Sequence, residues 1–238
     1  MTAGYAVGVI GATGAVGREF LRVMEERNFP VRELRLWASA RSRGQQIEFG
    51  ARVHTVEALE DATFQGLDFV LISASGDVSR EQAPRVAEAG VLAIDDSSAW
   101  RYDPSVPLVV PEVNAEDIAW HKGIIATPNC STTQLVLPLA SLHATNPIQR
   151  VIVDTYQSVS GWGGRAIEEL RDQTAAVAAG EEAKIDSAVF PHAIAFNLIP
   201  EIDSPRDDGY TKEEWKMAVE TQKILHAPNL RVSATCVR

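Results

Sequence analysis

The sequence predicts an α/β protein whose amino-terminal half is a doubly wound parallel sheet. Two observations carry that prediction: short apolar runs of strand length alternate with helix-length segments, and the first run leads directly into a glycine-rich turn that opens a helix. A third concerns size. With 238 residues and 45% hydrophobic content, the chain can bury a sizeable core as one large domain or two smaller ones.

Tyr5 to Ile10 reads as the first strand, Gly11-Ala12-Thr13-Gly14-Ala15-Val16-Gly17 as a tight turn, and Arg18 to Arg27 as an amphipathic helix with Phe20, Leu21, Val23 and Met24 inward. Glycines in such a turn let the backbone approach a pyrophosphate, which the helix amides then hold. The spacing is GxxGxxG, which also serves a plain strand-to-helix turn. A second strand, Leu34 to Ala38, ends in Ser39-Ala40-Arg41-Ser42-Arg43. An NAD site would place a carboxylate at that strand end to take the ribose hydroxyl. Hydroxyls and arginines suit a 2′-phosphate instead, so NADP is preferred over NAD, with Arg43 the best placed of the group to be merely solvated. Phe69 to Ile72 is the next strand, followed by the small residues Ser73 to Gly76, a helix over Ser79 to Ala89 and a strand from Val91 to Asp95. Ser73 and Gly76 fall at a strand's carboxyl end, where ligands of such sheets collect. Arg101, just beyond Asp95 and Asp96, reads as an anion clamp or as an acid's partner, and the segment alone favours the salt bridge.

The nearest thing to a domain boundary is Ala126 to Asn129. Directly after it, Cys130 stands in the first turn of a predicted helix, with Ser131, Thr132 and Thr133 able to cap and Leu135, Val136, Leu137 and Leu139 running inward. Unpaired amides at a helix start favour a thiolate, which makes Cys130 a candidate nucleophile; the competing reading is a buried structural cysteine. Arg150 to Ser158 alternates as a strand and ends at Gln157 and a glycine-rich stretch through Gly164; Gln157 is placed to bond an acyl oxygen or to be solvated. Arg165 to Ala179 reads as a helix, and Phe190 to Ile199 as an apolar stretch in which His192 is structural. Thr211-Lys212-Glu213-Glu214 has the form of a capping box, starting a helix that runs to Leu225. By spacing, Glu213, Lys216, Glu220 and Lys223 share a face, which reads as a solvated stripe of ion pairs. Arg231 to Arg238 alternates as a strand and stops in mid-pattern.

Composition excludes several classes. The formal net charge of -10 argues against general nucleic-acid binding. Two cysteines, Cys130 and Cys236, are too few for a disulfide-stapled fold and fit a reducing compartment, by default the cytoplasm. Neither a secretory leader nor a membrane-spanning stretch is indicated.

Several motifs occur in order: Gly11 to Gly17, Pro128-Asn129-Cys130-Ser131-Thr132, Tyr156-Gln157 with Val159-Ser160-Gly161, Ala195-Phe196-Asn197, Gly209 to Glu214, and Val232 to Arg238. Together they resemble the aspartate-semialdehyde dehydrogenase family, along the whole chain. The resemblance implies a Rossmann-type NADP-binding domain over 1–129 and an α+β catalytic and dimerisation domain over 130–238, the latter incomplete. It implies NADPH-dependent reductive dephosphorylation of L-aspartyl-4-phosphate to L-aspartate 4-semialdehyde through a cysteine thioester, on the route to lysine (by way of diaminopimelate), methionine and threonine. Cys130 matches the nucleophile and Gln157 the residue that orients the acyl group. Arg101, Asn129 and Lys216 match the phosphate site, Glu213 the contact to the substrate amine, and Arg238 the α-carboxylate anchor. Gly11, Thr13, Gly14, Ala15, Val16, Ser39, Arg41, Ser42, Ser73, Gly76, Ser160 and Gly161 would bind the cofactor. The expected partners are the small-molecule substrate, phosphate and a second copy in a homodimer, with a tetramer left open; no metal is implied.

Two departures stand out. The family's general acid/base histidine lies beyond the position of Arg238, and none of His54, His121, His143, His192 or His226 sits in its motif, so the chain reads as truncated. Ser158 and Trp162 replace small residues, and Trp162 would stand beside the nicotinamide. Two rival readings follow from these motifs: an enzyme resembling N-acetyl-glutamyl-phosphate reductase, which the Asn-Cys-Ser-Thr segment and the Glu213 to Lys216 pair fit less well, and a catalytically impaired dimerising remnant.

Overall fold

In the computed structural model, which describes residues 4–181 and 186–238, the chain separates into two compact units, Met1–Asn129 and Cys130–Arg238. The first unit contains a seven-stranded sheet and the helices that connect its strands: β1 (Tyr5–Ile10), α1 (Ala15–Glu26), β2 (Val31–Ala38), β3 (Gln46–Phe49), β4 (Arg52–Ala58), β5 (Phe69–Ile72), α2 (Gly76–Glu88), β6 (Leu92–Asp95), the short α3 (Pro111–Asn114) and β7 (Ile124–Ala126). The strand order is β3-β4-β2-β1-β5-β6-β7, parallel throughout except for the β3–β4 hairpin.

The central strand shows why these residues choose a parallel sheet. Ala6 to Ile10 are buried without alternation, the mark of a strand covered on both faces. Val7, Val9, Leu21, Met24, Leu34, Leu36, Ile47 and Val56 form one core cluster. Each such fully buried aliphatic side chain contributes about 1.5–3 kcal/mol relative to exposure. From β1 the chain first builds outward through β2 and later returns to pair β5 on the opposite side, so the switch point of the sheet lies at the carboxyl ends of β1 and β5.

The hairpin was not foreseen from the sequence. Ile47 and Val56 are buried there among polar neighbours, too sparse a pattern to read as strands, and β4 is held by pairing with β2 from Leu36↔Val56 to Ala38↔Ala58. Boundaries also moved. The helix α2 starts at Gly76 rather than Ser79, since the Ser75 side chain accepts from the Val78 amide and caps it there.

The second unit comprises α4 (Cys130–Thr145), β8 (Arg150–Tyr156), α5 (Gly164–Ala178), α6 (Lys212–Ile224) and β9 (Arg231–Val237). β8 and β9 pair in parallel from Arg150↔Arg231 to Tyr156↔Val237. Ile202, Met217, Ala234 and Cys236 form a core beneath them with Leu135 and Val153; a second cluster joins Ala166, Phe190, Ile194 and Ile199. The inward run expected after Cys130 breaks at Leu137, which is 40% exposed, because consecutive apolar residues on a helix cannot all face one side. Among the described residues no helix is long and apolar enough to cross a membrane, and no group of three or more His, Cys, Asp or Glu is placed to hold a metal ion.

Candidate active site

Each unit carries one constellation. In the first, the turn after β1 is built for close approach of its own backbone. Gly11 has φ +84, and a Cβ on it would lie 1.9 Å from the Ser73 carbonyl oxygen; a Cβ on Gly17 would lie 2.2 Å from the Gly11 oxygen. The amides of Gly11 and Ala12 bond the Trp37 carbonyl oxygen, and the Ser73 amide bonds that of Ile10, which ties the turn to the ends of β2 and β5. Helix α1 starts from Gly14 with no side-chain cap and no acidic residue in its first turn, so the positive end of its dipole faces the turn uncompensated.

Thr13 and Ser42 hydroxyls lie 3.2 Å apart, so the glycine turn and the segment after β2 meet. Arg43 pairs with Asp61 at 3.2 Å, whereas Arg41 is exposed and has no carboxylate partner among the described residues. Ser39 is exposed on the same segment, and Ser73 and Gly76 are half-buried at the end of β5. A narrow cradle of glycine backbone, an uncapped helix start, hydroxyls and a free arginine fit a dinucleotide with an extra phosphate.

At the end of β6 lies an acidic pair, Asp95 fully buried and Asp96 half-buried. The Asp95 carboxylate accepts from Ser79 Oγ at 2.6 Å and Ser97 Oγ at 2.8 Å, and Trp100 Nε1 donates to Ser79 Oγ. Burial pushes the Asp96 carboxyl up to about 6, with the Asp95 charge adding and the Ser73 hydrogen bond and Arg101 opposing. Arg101, itself buried, donates Nη2 to the main-chain oxygen of Asp96 at 2.6 Å. A carbonyl is thus one of its contacts, and its charge also opposes the raising of Asp95 and Asp96. Asn129, also buried, closes this unit.

In the second unit, Cys130 is the first residue of α4 and is exposed. Cys236 is the contrasting thiol, fully buried with Sγ 3.6 Å from Met217 Sδ, and burial pushes it up to about 11. Their positions distinguish them: a helix start for the first, the buried face of β9 for the second.

Gln157, just past β8, is the hub. Its Nε2 donates to Ser131 Oγ at 2.7 Å and to Glu213 Oε1 at 3.2 Å, and its Oε1 accepts from Arg238 Nη2 at 3.2 Å. Glu213 and Lys216 do not form a solvated stripe. Glu213 is 5% exposed and Glu220 fully buried, because the α6 face that carries them packs against β9 and α4. Lys216 Nζ reaches Asp203 Oδ2 at 2.7 Å and Glu213 Oε2 at 3.1 Å. Burial pulls the Lys216 ammonium down, but Asp203 and Glu213 outweigh it, so its pKa lies above the usual lysine value. Arg238 is held below the usual arginine value by burial, with the charges of Glu213 and Cys130 opposing. Its Nε and Nη1 are buried with no hydrogen-bond partner among the described residues.

Gly161 leaves room for that guanidinium, since a Cβ there would lie 2.8 Å from Arg238 Nη2. Trp162 is 52% exposed and its ring stands 5.9 Å from Arg238 Cζ, so in this unit it borders the arginine. Ser160 sits in the same turn, its amide bonded to Ser158 Oγ at 3.3 Å. Sequence reasoning missed two members of this group. Ser131, a capping candidate in the sequence, accepts from Gln157, and Asp203 lies in an irregular loop where contact with Lys216 marks it.

Comparison with known proteins places this geometry in a family. The model of the family described as semialdehyde dehydrogenase, NAD binding domain, matches residues 6–121, and that of its dimerisation domain matches 139–238. Aspartate-semialdehyde dehydrogenase of Aquifex aeolicus is 56% identical over 238 residues, covering 99% of this chain and 70% of the relative. The enzyme of that name from Bacillus subtilis is 46% identical, covering 100% and 70%. Among solved structures, aspartate semialdehyde dehydrogenase II from Vibrio cholerae, seen also in complex with ASA, superposes with a TM-score of 0.96 at 47% identity, over 99% of this chain and 70% of that one. The enzyme with NADP from Candida albicans gives 0.71 at 25% identity, over 99% and 68%.

Proposed function

The chain belongs to the aspartate-semialdehyde dehydrogenase family, and from that membership we propose that it interconverts L-aspartyl-4-phosphate and L-aspartate 4-semialdehyde with NADPH. The observation that carries this reading is the cluster around Gln157, in which a buried arginine keeps Nε and Nη1 unpartnered beside a buried carboxylate. Each of these two nitrogens shares one edge of the planar guanidinium with Nη2, so a carboxylate can bridge Nη2 and either of them, and Glu213 suits the ammonium of an α-amino acid. We assign Arg238 to the α-carboxylate, Glu213 to the amine, and Arg101, Asn129 and Lys216 to the phosphate.

The Cys130 thiolate attacks the acyl carbon, the C–O bond to phosphate breaks with its electron pair leaving on phosphate, and a thioester forms. Gln157, held by Ser131, Glu213 and Arg238, orients the acyl group without changing charge. When bound, the nicotinamide supplies the hydride that reduces the thioester carbon, and the resulting hemithioacetal releases the aldehyde as the C–S bond breaks. We assign Gly11, Thr13, Gly14, Ala15, Val16, Ser39, Arg41, Ser42, Ser73, Gly76, Ser160 and Gly161 to the cofactor. Arg41 and the hydroxyls of Ser39 and Ser42 support the phosphorylated dinucleotide over NAD. The setting is amino-acid biosynthesis leading to lysine, methionine and threonine, in the cytoplasm, by a homodimer formed through the carboxyl-terminal unit.

The test supplies semialdehyde, phosphate and NADP and follows NADPH absorbance, with mass spectrometry of Cys130 after exposure to aspartyl phosphate. NADPH formation, a weaker response with NAD, and an acyl adduct lost in Cys130→Ser are expected. A faster reaction with the N-acetyl-glutamyl substrate, or neither NADPH nor adduct, overturns the reading.

A further inference from the structure

We infer that Glu169 and Gln173 are positioning residues that set the Arg238 guanidinium for its ligand, by pinning the irregular segment that clasps the arginine's main chain. The inference rests on Arg238 as the carboxylate anchor. Glu169 and Gln173 stand four residues apart on α5, hence on one face, and both are buried, at 8% and 2% exposure. A carboxylate so buried is costly unless every lone pair is used.

Here the lone pairs are used by backbone. Glu169 Oε2 accepts from the amides of Ala188 at 3.0 Å and Val189 at 2.5 Å, and Oε1 accepts from Phe190 at 3.3 Å. Gln173 Oε1 accepts from Ile194 at 2.7 Å and Ala195 at 3.1 Å, while its Nε2 donates to the Asp186 oxygen at 2.8 Å. Residues 186–199 form neither helix nor strand, so their amides have no ladder to satisfy them. Five of those amides end on two side chains of α5.

Two routes lead from the pinned segment to Arg238. At its far end, Ile199 and Arg238 exchange reciprocal backbone hydrogen bonds of 2.6 and 2.9 Å, which fix the Cα from which the guanidinium projects. At its near end, the Phe190 ring packs 6.3 Å from Trp162, whose own ring borders the guanidinium. Neither Glu169 nor Gln173 is assigned to the ligand. Their effect passes through main chain and one aromatic contact.

The experiment compares the 238-residue chain with Glu169→Gln, which keeps the volume but leaves one accepting oxygen for three amides. Calorimetric titrations with aspartate semialdehyde and with inorganic phosphate are run in parallel, with amide hydrogen exchange. Semialdehyde affinity is expected to fall about 3- to 12-fold, the equivalent of one lost hydrogen bond, while phosphate affinity moves by less than about twofold. Exchange should quicken at 188–190 and at the Ile199 and Arg238 amides. Quickened exchange at 188–190 with unchanged semialdehyde affinity overturns the inference, and so does equal weakening of both ligands, which reports general loosening. If Glu169→Gln does not fold, Gln173→Met carries the same affinity reading, with exchange followed at 194 and 195 in place of 188–190. Arg238→Lys separates the levels: indifference of semialdehyde to it brings down the anchor itself, whereas weakening there with none in Glu169→Gln brings down only the positioning role.

Discussion

At the scale of single residues, the same side-chain type is put to opposite uses by its surroundings. The cysteines differ by burial, whereas burial raises both neighbouring acids, Asp95 against two serine hydroxyls that hold both its oxygens. Asp96 is pushed up to about 6, chiefly by burial and then by the Asp95 charge. Since its folded pKa exceeds the unfolded value, the native state binds the proton more tightly, so stability falls as pH rises from about 4 to about 6 and stays lower above that. Asp96→Asn removes the ionisation. It should stabilise the protein by about 1–3 kcal/mol at pH 7 to 8 and leave it almost unchanged near pH 4. Urea unfolding across that range decides the matter, and a gain independent of pH would show that ionisation is not the cause. The substitution should leave the Asp95 network intact, since Ser79 and Ser97 bond the other carboxylate.

At the scale of elements, the capping box shows how much of a site depends on where a helix begins. Thr211 Oγ1 accepts from the Glu214 amide at 3.3 Å, and Glu214 Oε2 accepts from the Thr211 amide at 2.7 Å. Glu214 also takes the Cys236 amide at 3.0 Å, which joins the start of α6 to β9. Thr211→Ala should cost about 1 kcal/mol and Thr211→Ser only a few tenths. Denaturant midpoints measure both, and an alanine variant as stable as the parent would mean that the cap contributes nothing. Elements of this kind were legible in the sequence because local chemistry dictates them: the β1 turn and α1, the start of α4 at Cys130, and the capping box at Thr211. The β3–β4 hairpin was not, and neither was the buried face of α6. Charged residues at helical spacing look solvated until the elements packed on them are known, and long-range contact, as between Gln157 and Glu213, is invisible to any local window.

At the scale of the whole molecule, charge is unevenly balanced. The chain carries a formal net charge of -10, yet Asp203, Glu213, Lys216 and Arg238 contribute two charges of each sign to one cluster. Such a quartet has almost no field beyond its own dimensions. An anion approaching from bulk solvent therefore meets the repulsion of the chain before it meets any local attraction. Screening acts over about 8–10 Å at ordinary ionic strength and falls hardest on that outer repulsion. Rising salt should accordingly raise kcat/KM for an anionic substrate at low concentration, the reverse of an electrostatically steered enzyme, until it competes for the proposed phosphate ligands. Stopped-flow binding rates over a salt series test this, and a rate that falls from the first addition would contradict it. A catalyst arranged in this way trades speed of capture for indifference to the many anions around it, and its selectivity is exercised after arrival.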